Sequence, residues 1–82
     1  MKIGNWNFIE LKREEAKNTP PAKDFSMIFF ECVHDSGFKI ERSFGAVKPI
    51  DEGKFEAYLK VIADEMDNFE AVKFRIQSRA EQ

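Results

Sequence analysis

Apolar and polar positions alternate along this chain in ways that lay out its elements. Residues 25–34 run Phe-Ser-Met-Ile-Phe-Phe-Glu-Cys-Val-His, rich in the aromatic and β-branched residues that suit a pleated strand. Asp35-Ser36-Gly37 reads as a turn and 38–47 as the returning strand. With Ser36-Gly37 as the loop, Val33 faces Ile40, Glu31 faces Arg42 and Phe29 faces Phe44. A loop one residue longer sets Glu31 against Glu41 and is disfavoured as a like-charge pair. Lys48-Pro49-Ile50 ends the hairpin. Asp51 then caps a helix over 52–67, and Phe55, Tyr58, Leu59, Ile62, Met66 and Phe69 recur at helical spacing, which places Phe55 and Phe69 in the core between sheet and helix. Beyond it, Val72, Phe74 and Ile76 alternate with Lys73, Arg75 and Gln77, which predicts a strand over 71–77. The rival is a continued helix, because Leu59, Ile62, Met66, Phe69, Lys73 and Ile76 also keep a helical repeat.

Toward the N-terminus, residues 3–11 read as a strand with Trp6 and Phe8 on one side and Ile9 and Leu11 on the other, followed by a helical turn near 13–17; the alternative over 3–12 is a helix, with Asn7-Phe8-Ile9-Glu10 as a capping box and residues 10–17 of high helix propensity. Asn18-Thr19-Pro20-Pro21-Ala22-Lys23 is a loop, since consecutive prolines stop any helix before them. The expected layout is β-β-β-α-β. It makes a single α+β domain over 1–82, an antiparallel sheet with one helix packed on one face.

Composition sharpens this picture. Hydrophobic residues make up 43% and charged residues 34%, as in globular chains, which excludes a disordered or collagenous class. One cysteine, Cys32, and one histidine, His34, supply neither an intrachain disulfide nor a structural zinc site. Nine phenylalanines in 82 residues are the expected substitute, each able to remove about 150–250 Å² from water. The opening residues hold no apolar run long enough for a signal peptide, Met27–Phe30 is far too short to span a bilayer, and the lone thiol suits a reducing compartment. A cytosolic protein without membrane contact is expected.

No cofactor, metal or catalytic set is expected. The glycines at 4, 37, 45 and 53 are isolated and build no phosphate cradle. Cys32 and His34 share a strand face, yet alternate residues lie about 6.5–7 Å apart, too far for a thiolate–imidazole contact. A buried thiol and a turn histidine are the plainer reading. An enzyme assembled across a dimer interface at this pair is the remaining catalytic alternative. Arg42-Ser43-Phe44-Gly45-Ala46-Val47 fits four of eight positions in the aromatic signature of RNA-recognition motifs, too few for a resemblance. It motivates a second hypothesis, a single-strand nucleic-acid module stacking bases on Phe29, Phe38 or Phe44 with Arg42, Lys39 and Lys48 on phosphates. The formal charge of -2 opposes nucleic-acid binding.

Two surfaces point instead to a protein partner. Asp64, Glu65, Asp67 and Glu70 gather at the predicted helix C-terminus, where they oppose the helix dipole and are suited to steer a basic partner. The strand 25–34 is apolar on both faces, with Met27, Phe29 and Val33 on one and Ile28, Phe30 and Cys32 on the other. One helix covers one face. The register above assigns it to Phe29 and leaves Ile28, Phe30 and Cys32 to be covered by segment 13–24 or exposed. The expectation is a small non-enzymatic regulator or inhibitor, of the kind phages and prophages also carry. It would occupy a surface of another protein through Ile28, Phe30 and Cys32 and the four acids. No small-molecule substrate is expected, and self-association through the same face is an alternative.

Overall fold

The computed structural model describes residues 1–17 and 23–80. The Asn18–Pro21 stretch and Ala22 of the expected proline loop lie outside the described residues. The chain forms a four-stranded antiparallel sheet and two helices, a small α+β fold. Strands β1 (Lys2–Ile3), β2 (Trp6–Ala16), β3 (Phe25–His34) and β4 (Lys39–Val47) lie side by side in chain order, followed by helices α1 (Glu52–Asn68) and α2 (Glu70–Ala80).

The N-terminal strand forms as expected but is interrupted. Gly4 adopts φ +59°, a left-handed conformation, and turns β1 back onto β2. Trp6 and Phe8 face the core while Ile9 and Leu11 face away. The helical turn expected near 13–17 is absent, because β2 pairs with β3 as far as Ala16. A bulge between Glu10 and Lys12 leaves Leu11 as the extra residue.

The β3–β4 register differs from the expected one by a single residue. Val33 pairs with Lys39, Cys32 with Ile40, Phe30 with Arg42 and Ile28 with Phe44, and Glu31 does stand opposite Glu41. The loop is Asp35-Ser36-Gly37. The Gly37 N–H donates to the His34 carbonyl (2.9 Å), the His34 N–H donates to the Phe38 carbonyl (2.8 Å), and Gly37 takes φ +94°. This register puts Ile28, Phe30, Cys32, Ile40 and Phe44 on the face that also carries Trp6 and Phe8. Burying one such aromatic contributes about 1.5–3 kcal/mol. An exposed like-charge pair costs no more than about 1 kcal/mol, so the apolar face decides the register.

Helix α1 covers that face. Asp51 caps it as expected, its carboxylate accepting the N–H groups of Gly53 (2.9 Å) and Lys54 (3.1 Å). Leu59, Ile62, Ala63 and Met66 complete the core, with Phe55 and Tyr58 packed beside them. The predicted strand over 71–77 is instead the body of α2. Val72 and Ile76 lie four apart on its inner side and Phe74 points outward. The two helices are separated at Phe69, whose extended backbone (φ −89°, ψ 119°) ends α1 and whose carbonyl accepts the N–H groups of Val72 and Lys73 in α2.

The molecule measures 53 × 20 × 19 Å, and its radius of gyration is 15.1 Å, against about 12 Å for a compact domain of this length. A thickness of 19–20 Å is two layers, one sheet and one layer of helix. Among the described residues, no element covers the second sheet face.

Candidate interaction surfaces

The register determines which side chains are available. Ile28, Phe30 and Cys32 are 0%, 1% and 0% exposed beneath α1, so the expected apolar contact surface at these three residues is corrected: they form the centre of the core. Phe30 stacks edge-on against Phe8, Phe55 and Tyr58. The physical reason is the one-residue register shift, which pairs this face with Phe44 and Ile40 rather than with Lys39, Glu41 and Ser43.

The uncovered face is the opposite one. Reading across β2, β3 and β4, its rows are Asn7-Val33-Lys39, Ile9-Glu31-Glu41, Lys12-Phe29-Ser43, Glu14-Met27-Gly45 and Ala16-Phe25-Val47. Ile9, Leu11, Phe25 and Val47 are exposed, and Met27, Phe29 and Val33 are partly so. Lys12 pairs with Glu14 (2.9 Å) and sits 4.9 Å from the centre of the Phe29 ring. At Gly45 a Cβ would stand 2.6 Å from Met27 Sδ and 2.8 Å from the Phe25 ring. The missing side chain lets both lie flat across β4.

The second surface is the α1–α2 junction. Asp64, Glu65, Asp67 and Glu70 are all exposed there, as expected, but their electrostatics are not those of a single helix end. Glu70 falls in the first turn of α2, where the dipole favours it, and lies 3.6 Å from Lys73. Asp67 has a structural partner, since the indole N–H of buried Trp6 donates to its carboxylate at 2.8 Å. Phe69, between them, is 62% exposed, and Phe74 on α2 is 68% exposed. Phe69 and Glu65 line a cleft of about 360 Å³ with Arg42, Tyr58, Ile62, Met66 and Val72. Sequence reasoning missed Phe69 by placing it in the core. The signal against that was the charged run on both sides of it.

The remaining candidates occupy structural positions. Burial pushes the Cys32 thiol up to about 11, with Arg42 acting in the opposite sense and Glu31 adding to the rise. His34 Nδ1 accepts the Ser36 backbone N–H at 3.0 Å and lies 2.9 Å from the Ser36 hydroxyl, so the ring braces the β3–β4 turn. It also packs edge-on against Trp6. Of the three aromatic stacking platforms, Phe44 lies against Phe55 and Tyr58 beneath α1, and Phe38 against Trp6. Phe29 alone of the three faces the open side. Among the described residues, no group of three or more His, Cys, Asp or Glu is arranged to hold a metal ion, and no helix is long and apolar enough to cross a membrane. No family model, curated protein or solved structure matches the chain.

Proposed function

We propose that this chain is a non-catalytic cytosolic binding protein that acts by occupying a surface of another protein, as small regulators and inhibitors do. The observation that carries the reading is Phe69, an aromatic side chain 62% exposed among the acids Asp64, Glu65, Asp67 and Glu70. Aromatic anchors within a charged rim characterise the energetic centres of protein interfaces. The acids steer a basic partner and the ring fills an apolar depression on it. The mechanism is steric: bound at the helix junction, the chain blocks whatever that basic surface otherwise engages.

The test is capture from a lysate of the native host by the immobilised protein and by its Phe69→Ser variant, each across a salt series. A basic protein retained by the wild type, released as salt rises and lost from Phe69→Ser supports the reading. Retention unaffected by Phe69→Ser, or no retained protein at low salt, overturns it.

A further inference from the structure

The open sheet face is a separate surface, and its geometry selects an occupant. We infer that it is covered by a second copy of this chain, giving a two-fold dimer in which two sheets pack face to face with their helices outside.

Area is the first argument. With a two-fold axis between the Met27 and Phe29 rows, residues 25–31 of β3 overlap, so seven residues at ~3.3 Å and three strands ~4.8 Å apart make a face of about 23 by 14 Å. Two such faces offer roughly 650 Å² of flat area, which with side-chain relief is the size of a weak, reversible interface. The surface is also flat, because Met27 and Phe25 lie over Gly45 instead of projecting.

Charge placement is the second, and it chooses the symmetry axis. An axis parallel to the strands along β3 would stack Glu31 on Glu31 of the second copy. An axis perpendicular to the strands, passing between the Met27 and Phe29 rows, sets Met27 against Phe29 of the second copy and Phe29 against its Met27, with Glu31 and Glu41 meeting its Phe25 and Val47 only at the two ends of the overlap. On β2 the same operation sets Lys12 against Glu14 of the second copy, and Glu14 against its Lys12. The intrachain Lys12–Glu14 pair then becomes half of a four-charge network around an apolar centre. Leu11, projecting at the bulge, falls between Glu14 and Ala16 of the second copy. The helix junction with Phe69 stays outside this interface, so the dimer goes beyond the proposed function and does not depend on it.

Sedimentation equilibrium of the purified chain from about 1 μM to about 1 mM tests this. The expected result is a mass that rises with concentration from the 9.6 kDa monomer to twice that value. Leu11→Asp and, as a second variant on an exposed position, Ile9→Lys should each weaken association at least about tenfold with unchanged far-UV circular dichroism. Lys12→Glu should weaken it comparably, and Lys12→Glu combined with Glu14→Lys should recover it to within about threefold. Phe69→Ser should leave the dimer intact. A monomer throughout the range, association indifferent to both Leu11→Asp and Ile9→Lys, or no recovery in the double charge exchange would overturn the assignment.

Discussion

Asp67→Ala tests the attachment of the helix layer to the sheet. The Trp6 indole is fully buried, and its N–H has one acceptor, the Asp67 carboxylate at 2.8 Å. Removing that acceptor forfeits a hydrogen bond to a charged group, worth about 1.5–3 kcal/mol, and leaves a buried donor unsatisfied. An opposing term arises because Asp67 lies in the last turn of α1, which holds no basic residue. Deleting its charge there relieves about 0.3–1 kcal/mol of dipole repulsion. The hydrogen bond outweighs the dipole, so the net loss is about 1–2 kcal/mol, or roughly 4–16 °C in melting temperature for a domain of this size. Asp67→Asn keeps an acceptor oxygen without the charge and should stay within about 0.5 kcal/mol of wild type. Trp6 is the single tryptophan, so urea unfolding followed by its fluorescence reports on the bond directly. In a Trp6→Phe background, followed by circular dichroism, Asp67→Ala should lose its destabilising effect and leave only the small gain from the dipole. An Asp67→Ala variant within about 0.3 kcal/mol of wild type, or an Asp67→Asn variant as damaged as Asp67→Ala, would refute the reasoning.

Three further perturbations follow from the packing. The folded Cys32 thiol lies at about 11 against an ordinary 9.0, so the unfolded chain loses its proton first as pH rises. This contribution is complete below pH 9 and is lost between pH 9 and 11, by at most about 2–3 kcal/mol, and Cys32→Ala should remove it from a stability–pH profile. Asp51→Ala should cost about 1 kcal/mol in urea unfolding and Asp51→Ser much less, because the serine hydroxyl can still accept an N–H at the start of α1. Phe30→Ala should cost about 3–5 kcal/mol while Phe74→Ala stays within about 0.5 kcal/mol, and a reversed ranking would refute the burial of Phe30 beneath α1 and the outward placement of Phe74 on α2.

The legible parts of this fold were those governed by local chemistry. Asp51 announces α1 because a carboxylate at that position can satisfy only the first-turn N–H groups. Trp6 and Phe8 part from Ile9 and Leu11 because a strand alternates whatever it pairs with. What escaped was set by comparison between distant terms. The like charges Glu31 and Glu41 argued for the shorter loop, and the gain from placing Phe30 and Phe44 on the face of Trp6 and Phe8 outweighs them. The local clue was Gly37, the third loop residue, in the left-handed conformation that a three-residue hairpin uses. At 71–77, Val72, Phe74 and Ile76 alternate, yet Val72 and Ile76 are also one helical turn apart. Lys73, Arg75 and Gln77 favour helix, and β4 takes no further strand among the described residues. The site followed the register: the expectation of an apolar face without a helix over it was sound, and its address was the wrong side of β3.

The phenylalanines express the consequence most directly. Phe8, Phe30, Phe38, Phe44 and Phe55 lie on the helix side of the sheet, within or against the core. Phe25 and Phe29 lie on the open face, Phe69 at the junction between the helices and Phe74 on α2, both away from the core. The first five account for folding, since aromatic burial there replaces the disulfide or metal that this chain cannot build from one cysteine and one histidine. Phe69 and Phe74, 62% and 68% exposed, add little to the isolated monomer, because a side chain that stays largely in water gains little transfer free energy on folding, whereas Phe25 and Phe29 are partly buried within it. Exposed aromatics also favour non-specific association, which a folded domain otherwise limits by placing polar groups there. The two pairs occupy opposite layers with different charge surroundings, mixed and self-complementary on the sheet, acidic at the helix junction. That division matches the two proposals, a second copy of the chain on the sheet and a basic partner at the helix junction.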